Sequence, residues 1–295
     1  MRFFTLMVIL TFCVSAEEKR QCKMDRDYYL YLPNKLDKDK KYWLVVGVHG
    51  YKGNGQKAAG LYSYSKEFDN VIVVGPTFPS QGPYYQDLGG NSAKQLLGIH
   101  KELSKEFNLH DKMFIHGYSG GAQFAHRFAG KYSKYLIGIS AHSAGTWDKK
   151  PSGSSSKALW TVSCGLNDKK VSQGGSMPRI DYFRNFSKSM NRSKFTAKVF
   201  VTNGGHAKTA EVDQAIKECF LAASTGMFKF QREATKDMSI YEREKWIKDN
   251  NKLIEKEFND GRNSYKLEFN PDGWTVNSHG LKAMEETRKL LDKLK

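Results

Sequence analysis

Residues Met113–Phe128, which read MFIHGYSGGAQFAHRF, decide the fold expected for this chain. Met113–His116 has the character of a short buried strand, and the residues after Gly121 have the spacing of a helix. Between them, Gly117–Gly121 fits the pattern G-x-S-x-G. A serine in such a turn is held in a strained backbone conformation, and the two outer glycines let the strand and the helix approach each other. The alternative is a glycine-rich turn in which Ser119 only caps the helix.

Short apolar runs rich in β-branched and aromatic residues alternate with longer segments of helical period. This alternation predicts an α/β fold, a mostly parallel sheet with helices on both faces. Most of the runs are apolar at consecutive positions, as expected of strands buried on both faces. The predicted strands are Tyr28–Leu32, Tyr42–Val48, Val71–Val74, Met113–His116, Leu136–Ile139, Leu159–Ser163 and Val199–Thr202. The predicted helices are Ser92–Phe107, Gly120–Lys131, Met177–Ser189 and Ala207–Ala223.

A serine hydroxyl needs a base before it can act as a nucleophile at neutral pH, and histidine has a pKa suited to that task. The chain has 8 histidines. His206 is the predicted base, because it follows the strand Val199–Thr202 through a short Asn-Gly-Gly segment. It is therefore expected at the carboxyl edge of the sheet, where Ser119 also emerges. The alternative is a solvated loop histidine.

An aspartate between the serine and the histidine along the chain is expected to orient the imidazole. Three aspartates lie in that interval: Asp148, Asp168 and Asp181. Asp168 is preferred because it follows the strand Leu159–Ser163 and a glycine turn. Asp148, in the loop after the preceding strand, is the reserve, whereas Asp181 falls within a predicted helix. A turn residue bonded to its own backbone is the alternative for Asp168.

A second glycine-rich loop, His49–Gly55, follows the strand Tyr42–Val48 and reads HGYKGNG. It lacks the G-x-x-x-x-G-K-[ST] and G-x-G-x-x-G spacings of phosphate-binding loops. A backbone N–H of this loop is expected to turn towards Ser119, and the helix N-terminus after Ser119 supplies a second donor. The N–H groups of Tyr51 and Gly120 are therefore the predicted oxyanion hole.

The first residues, MRFFTLMVILTFCVSA, have the pattern of a secretory signal peptide. One arginine precedes about 12 apolar residues, and small residues follow where a signal peptidase cuts. The apolar run is shorter than the roughly 20 residues that span a bilayer. The sequence therefore predicts a secreted or periplasmic protein with no stable membrane insertion.

Three segments are predicted along the chain: a signal peptide at 1–16, a main domain at 17–225 and a small appendage at 226–295. The composition changes at about Gly226, after which a helix, a hairpin and a second helix are expected. The first helix carries Ile240, Ile247 and Ile254, the hairpin joins Tyr265–Phe269 to Trp274–Asn277 around the turn Asn270–Gly273, and the last helix carries Leu281, Met284, Leu291 and Leu294. An Asn-Pro-Asp-Gly segment is a strong turn signal.

The chain is basic, with 47 lysines and arginines against 31 acidic residues and a net charge of +16. Nucleic acid is not an expected partner, because the chain is predicted to be exported and no recognition motif accompanies the charge. Loss of the signal peptide leaves Cys22, Cys164 and Cys219, an odd number, so the fold is not expected to rest on a disulfide framework. No His/Cys cluster has zinc spacing, and neither a metal nor an organic cofactor is expected.

In chain order, His49-Gly50, Gly117–Gly121, Asp168 and Gly205-His206 resemble the α/β-hydrolase superfamily over roughly residues 27–223. The run GYSGGAQFAHR is similar to the secreted esterase branch with polyhydroxybutyrate-depolymerase-like and feruloyl-esterase-like enzymes. The resemblance implies Ser119 as nucleophile, His206 as base and Asp168 as its orienting acid, with Tyr51 and Gly120 donating to the oxyanion. The segments before His206 are short, which implies a small lid and an open pocket. The appendage has no counterpart in this pattern.

The expected function is hydrolysis of a carboxylic ester through an acyl-enzyme, on a small-molecule or polymer-linked substrate, carbohydrate-linked esters included. Aromatic residues in Pro79–Leu88, notably Tyr84 and Tyr85, are candidates for lining the pocket; the alternative is that these tyrosines are packed or simply solvent-exposed. Two alternatives remain open. One is a serine peptidase on the same fold, and the other is a catalytically silent protein that binds a polyanionic glycan through the basic main domain.

Overall fold

The computed structural model describes residues 17–79, 84–172, 174–192, 195–225, 267–270 and 273–276. Eight strands form one sheet in the order β1-β2-β4-β3-β5-β6-β7-β8. They are β1 Glu18–Cys22, β2 Arg26–Tyr31, β3 Tyr42–Val48, β4 Val71–Pro76, β5 Leu109–Tyr118, β6 Leu136–His142, β7 Leu159–Gly165 and β8 Ala197–Thr202. The first two strands are antiparallel to their neighbours, and all other neighbours are parallel. The predicted mostly parallel α/β sheet is confirmed.

Helices cover both faces of this sheet. They are α1 Tyr64–Glu67, α2 Ser92–Glu106, α3 Gly120–Tyr132, α4 Arg179–Arg192 and α5 Ala210–Ser224. Buried residues of α2, α3 and α4 share one apolar cluster, and those of α1 and α5 share another. Successive side chains of a strand point to opposite faces, so in β3 Leu44 and Val46 belong to the first cluster and Val45 to the second.

The central strands are buried on both faces, as their unbroken apolar runs predicted. Every residue of β4 and of β7 is buried. Full burial of one valine, leucine or phenylalanine side chain contributes about 1.5–3 kcal/mol relative to an exposed one. These strands therefore form a rigid base for the loops at their ends.

Most elements differ from the predicted ranges by a few residues at one end or both, and three differences have a local cause. Strand β1 was not predicted, because its residues EKRQC alternate between half-buried and exposed positions at the sheet edge. Strand β5 begins at Leu109 because polar residues extend it beyond the apolar run, with a register irregularity opposite β3. Helix α5 begins at Ala210, where the side chain of Thr209 caps it by accepting from the N–H of Val212.

The register of the parallel strands brings their carboxyl ends to one edge. Val48 of β3 pairs with Gly117 of β5, and Gly165 of β7 pairs with Thr202 of β8. The loops that follow these four strands therefore emerge side by side. They are the loops that carry the predicted site residues.

Part of the predicted appendage is described. Strands β9 Leu267–Asn270 and β10 Gly273–Val276 pair antiparallel, as the predicted hairpin requires. The two predicted helices of the appendage and the predicted signal peptide lie outside the described residues. The segment boundaries at 16 and 225 stay predictions.

All three cysteines within the described residues, Cys22, Cys164 and Cys219, are buried free thiols. Burial raises the pKa of Cys164 and the pKa of Cys219 to about 12. Across the part of the chain that is described, none of the helices is both long and apolar enough to cross a bilayer.

Candidate active site

Ser119 occupies a sharp turn between β5 and α3. Its backbone has φ 57° and ψ −119°, a conformation that costs a non-glycine residue of order 1–3 kcal/mol. The turn requires close backbone contacts on both sides: a Cβ on Gly117 would lie 2.0 Å from the carbonyl oxygen of Gly121, and a Cβ on Gly121 would lie 2.2 Å from that of Val48. The two glycines of the motif therefore permit the strained serine conformation, as predicted.

The structure brings Ser119, His206 and Asp168 together. Nε2 of His206 lies 2.8 Å from Oγ of Ser119, and Nδ1 lies 2.7 Å from Oδ2 of Asp168. An ionised carboxylate only accepts hydrogen bonds, so Nδ1 carries the proton and Nε2 is left to accept from the serine hydroxyl. The three side chains come from the loops after β5, β7 and β8, at the sheet edge where the sequence located them.

Asp168 is fully buried, with 0% of its side chain exposed, and its carboxylate accepts hydrogen bonds from Arg179, His206 and, at 4.0 Å, the thiol of Cys164. Nη1 of Arg179 donates to Oδ1 at 2.9 Å while His206 holds Oδ2. Burial alone would raise the pKa of Asp168, but the hydrogen bonds from His206 and Arg179 outweigh burial and lower it. The carboxylate is therefore ionised at neutral pH.

Sequence reasoning missed Arg179. It lies at the start of α4, and Nε also donates to Oγ of Ser172 at 2.7 Å. The N–H of Ile180 donates to the carbonyl of Asp168, so the start of this helix fixes the aspartate loop through its backbone as well. The sequence carries no local signal for this ion pair, because the two charged residues are eleven positions apart across a loop and a helix start.

The two predicted oxyanion donors lie next to each other beside Ser119. A Cβ on Gly120 would lie 2.8 Å from the hydroxyl of Tyr85 and 2.9 Å from the backbone nitrogen of Tyr51, so glycine at this position permits the close approach of the two segments. Within the described residues, neither of the two N–H groups donates to a protein acceptor. The arrangement therefore offers two N–H donors next to Ser119 that have no acceptor among the described residues.

The side chain of His49 holds the loop that carries Tyr51. Its Nδ1–H donates to the carbonyl of Gly50 at 2.7 Å, and its Nε2 accepts from the N–H of Phe78 at 2.9 Å. Burial lowers the pKa of His49, in keeping with a neutral ring that uses one nitrogen as donor and one as acceptor. The sequence prediction used only the backbone of this His-Gly pair and missed the role of the imidazole.

The two predicted pocket tyrosines occupy different environments. Tyr84 is 43% exposed near the site, and its ring centroid lies 6.5 Å from that of Tyr51. Tyr85 is fully buried, and its hydroxyl donates to the carbonyl of His49 at 2.8 Å. The expectation that Tyr85 lines an open pocket is wrong, because the apolar ring packs inward against Phe78 and Phe124.

The other two aspartates in the interval have partners elsewhere. Oδ1 of Asp148 accepts from Nε of Arg127 at 3.0 Å, and the pKa of Asp148 is lowered to about 2 by His126 and Arg127 against the opposing effect of burial. Asp181 pairs with Arg184 one helical turn away. The reserve aspartate is thus bound to α3 rather than to His206.

Among the described residues, no group of three or more histidine, cysteine, aspartate or glutamate side chains is arranged to hold a metal ion.

Comparison with known proteins identifies the fold. No protein-family model matches the sequence, and no curated protein matches it. Poly(aspartic acid) hydrolase-1 of Sphingomonas sp. KT-1 matches in structure with 17% identity and a TM-score of 0.52, over 65% of this chain and 92% of that chain. A ferulic acid esterase of Anaeromyces mucronatus matches with 17% identity and a TM-score of 0.52, over 69% and 87%. A poly(3-hydroxybutyrate) depolymerase of Bordetella parapertussis matches with 15% identity and a TM-score of 0.50, over 68% and 84%.

At these identities the likeness shows the fold alone. The chain has the α/β-hydrolase fold, as the resemblance of its motifs implied. Ser119, His206 and Asp168 occupy the loops at the carboxyl edge of that fold's sheet, and their chemical roles follow as a proposal.

Proposed function

We propose that this protein is a secreted carboxylic ester hydrolase that works through an acyl-enzyme. The observation that carries the proposal is the pair of hydrogen bonds that links Oγ of Ser119 through His206 to Asp168, 2.8 and 2.7 Å long. The α/β-hydrolase fold supports the proposal, and two of the similar structures are a ferulic acid esterase and a poly(3-hydroxybutyrate) depolymerase.

The proposed reaction begins with proton transfer from Oγ of Ser119 to Nε2 of His206 as the oxygen attacks the ester carbonyl. Asp168 stabilises the imidazolium that forms, because its buried carboxylate accepts from Nδ1–H. His206 then donates the proton to the leaving alcohol, and a covalent acyl-serine remains. Water attacks the acyl-serine with His206 again as base, and the acid is released.

The backbone N–H groups of Tyr51 and Gly120 stabilise the oxyanion of each tetrahedral intermediate. Both are fixed in place before the substrate arrives, so little reorganisation accompanies the development of charge. Removal of one donor of this kind typically costs about 2.7–4 kcal/mol of transition-state stabilisation. Loss of either N–H is therefore expected to lower the rate on the order of a hundredfold or more, which corresponds to that energy.

The proposed substrate is a small-molecule or polymer-linked ester, carbohydrate-linked esters included. One observation supports an open site: Tyr51 and Tyr84 are 42% and 43% exposed beside it. Exposed aromatic rings present both apolar faces and hydroxyl groups to a bound substrate.

Secretion rests on the sequence pattern of residues 1–16. If the protein is exported and cleaved after Ala16, the mature chain begins at Glu17. The mass of the purified extracellular or periplasmic protein tests this, and a full-length chain retained in the cytoplasm would contradict it.

Hydrolysis of a short-chain nitrophenyl ester tests the proposed activity. Ser119→Ala is expected to abolish turnover while the circular dichroism spectrum is unchanged. Ser104→Ala, an exposed serine on α2, is the matched control and is expected to keep full activity. Undiminished turnover in Ser119→Ala would remove Ser119 from the mechanism.

Amide hydrolysis is the second candidate, since the same acyl-transfer chemistry cleaves amides and one similar structure is a poly(aspartic acid) hydrolase. An ester and an amide that carry the same acyl group distinguish the two activities through their kcat/KM values. A fluorophosphonate probe distinguishes both from a silent glycan-binding protein, because only an activated serine reacts with it. Labelling of the wild type and not of Ser119→Ala is the expected result.

A further inference from the structure

We propose that Tyr118 and His142 position the base of this site by holding two consecutive carbonyl oxygens, those of His206 and Ala207. We call these two side chains the carbonyl clamp. The inference rests on the proposed function, because it assigns the clamp a role in the same hydrolysis. Both hydrogen bonds are made to the backbone of the loop that carries His206, so both side chains are positioning residues.

The loop that carries His206 needs external support. It begins Asn203-Gly204-Gly205, and glycine has the greatest backbone freedom of any residue. Asn167 holds the start of this loop, because its N–H donates to the carbonyl of Gly204 at 3.0 Å and its Nδ2 donates to that of Asn203 at 3.1 Å. The carbonyls of His206 and Ala207 lie beyond these two bonds. His206 must nevertheless reach two partners at 2.8 and 2.7 Å at the same time.

Tyr118 supplies the first restraint. It is the last residue of β5, directly before the nucleophile, and its hydroxyl donates to the carbonyl of His206 at 2.7 Å. Its ring centroid lies 5.0 Å from the imidazole of His206. One short segment of chain therefore carries the serine and also holds the backbone of its base.

His142, the last residue of β6, supplies the second restraint. Its Nε2 lies 2.8 Å from the carbonyl oxygen of Ala207, which can only accept, so Nε2 carries the hydrogen. Nδ1 then accepts from the hydroxyl of Ser163 at 2.8 Å. The ring is fully buried, and burial lowers the pKa of His142 to about 4, so the imidazole is a neutral donor at neutral pH.

The two clamp side chains also support each other and the nucleophile. Their rings stack with centroids 5.7 Å apart and an interplanar angle of 18°. The carbonyl of His142 accepts from the N–H of Ser119 at 3.0 Å, so the residue is bonded to both sides of the Ser119–His206 contact. These contacts hold the backbone of Ser119 and the backbone of His206 in fixed relative positions, and so set the distance between nucleophile and base.

The first experiment removes the hydroxyl of Tyr118 and keeps its ring. Tyr118→Phe is expected to lower kcat for the nitrophenyl ester about 10- to 100-fold, since a displacement of the order of 1 Å at reacting groups has that effect. KM is expected to change little, because the clamp does not touch the substrate. Tyr62→Phe is the matched control, an exposed tyrosine packed on Tyr31, and is expected to leave both constants unchanged.

The second experiment tests His142 by rescue. His142→Gln keeps an N–H donor within reach of the Ala207 carbonyl, whereas His142→Leu fills the space without one. We expect the activity of the glutamine variant to be roughly tenfold or more above that of the leucine variant, because only the leucine variant loses the hydrogen bond that keeps His206 aligned. Equal activity in two folded variants would overturn the role of the Nε2–H. If the leucine variant does not fold, His142→Asn, which is too short to reach, replaces it.

A measurement on the resting protein separates the clamp from the proposed function. Proton NMR without any substrate is used to look for the downfield resonance expected of the Nδ1–H hydrogen bond between His206 and Asp168. We expect it to weaken or shift in Tyr118→Phe and to persist in Tyr62→Phe. Failure of the wild type to hydrolyse any ester would refute the proposed function, but the effect of Tyr118→Phe on this resonance could still be measured. An unchanged resonance together with unchanged kcat in Tyr118→Phe would refute the clamp.

Discussion

The ion pair between Arg179 and Asp168 allows a quantitative prediction. Arg179→Met keeps most of the apolar length of the side chain and removes the guanidinium. The buried carboxylate loses one of its two charge-assisted hydrogen bonds, worth about 1.5–3 kcal/mol, and Ser172 loses a neighbouring bond worth about 0.5–1.5 kcal/mol. His206 remains bonded to Oδ2, so the cost stays near the low end of the 3–5 kcal/mol typical of a broken buried pair. We expect the free energy of unfolding to fall by about 2–4 kcal/mol.

The cost is expected to depend on pH. The pKa of Asp168 is lowered in the folded protein, so its ionised form contributes stability above the unfolded pKa of about 3.9, and that contribution is lost as pH falls through the folded pKa. Loss of Arg179 raises the folded pKa, because burial is then less opposed. The difference in the free energy of unfolding between wild type and variant is therefore largest at neutral pH. It decreases as the pH falls from the pKa of Asp168 in the folded variant to its lower pKa in the folded wild type.

Urea denaturation followed by tryptophan fluorescence, at neutral pH and in steps down to about pH 3, measures this difference. Arg184→Met on the same helix is the matched control. Its pair with Asp181 is a part-exposed i,i+3 pair, for which about 0.2–0.5 kcal/mol is expected. A cost in Arg179→Met no larger than in the control, or one that stays constant down to the lowest pH, would refute the reasoning.

Two further predictions concern the triad acid and the serine turn. Asp168→Asn is expected to lower kcat by about 10³- to 10⁴-fold with the fold retained, because an amide favours the wrong imidazole tautomer; ester kinetics measure it, and a loss under tenfold would count against the assigned role. Gly117→Ala is expected to destabilise by more than about 3 kcal/mol, since its Cβ would lie 2.0 Å from the carbonyl oxygen of Gly121. Gly98→Ala in α2, whose Cβ would meet nothing within 4 Å, is expected to stabilise the protein by about 0.5–1 kcal/mol. Thermal unfolding measures both glycine variants, and a change in stability of the same sign in both would contradict the packing argument.

The sequence located the main sheet and the turn that carries Ser119 because those signals are local. Strands buried on both faces carry continuous apolar runs, and the glycines around Ser119 follow from the close contacts of one turn. The positions of Asp168 and His206 followed from a topological rule, that loops after parallel strands meet at one edge.

The residues that escaped prediction act through contacts between distant segments. Arg179 reaches Asp168 across a loop, His49 reaches Phe78 of another loop, and His142 reaches the backbone of Ala207. No spacing along a single chain encodes such pairs. The edge strand β1 was missed for another reason, since it is only half-buried and its charged residues conceal the alternation.

The three free thiols have a consequence for how the protein can be made. With all three described thiols free, and two of them kept protonated by burial at neutral pH, the described part of the molecule needs no oxidant to form a disulfide. We therefore expect it to fold in a reducing host cytoplasm, and reductant present throughout purification is expected to leave the fold unchanged.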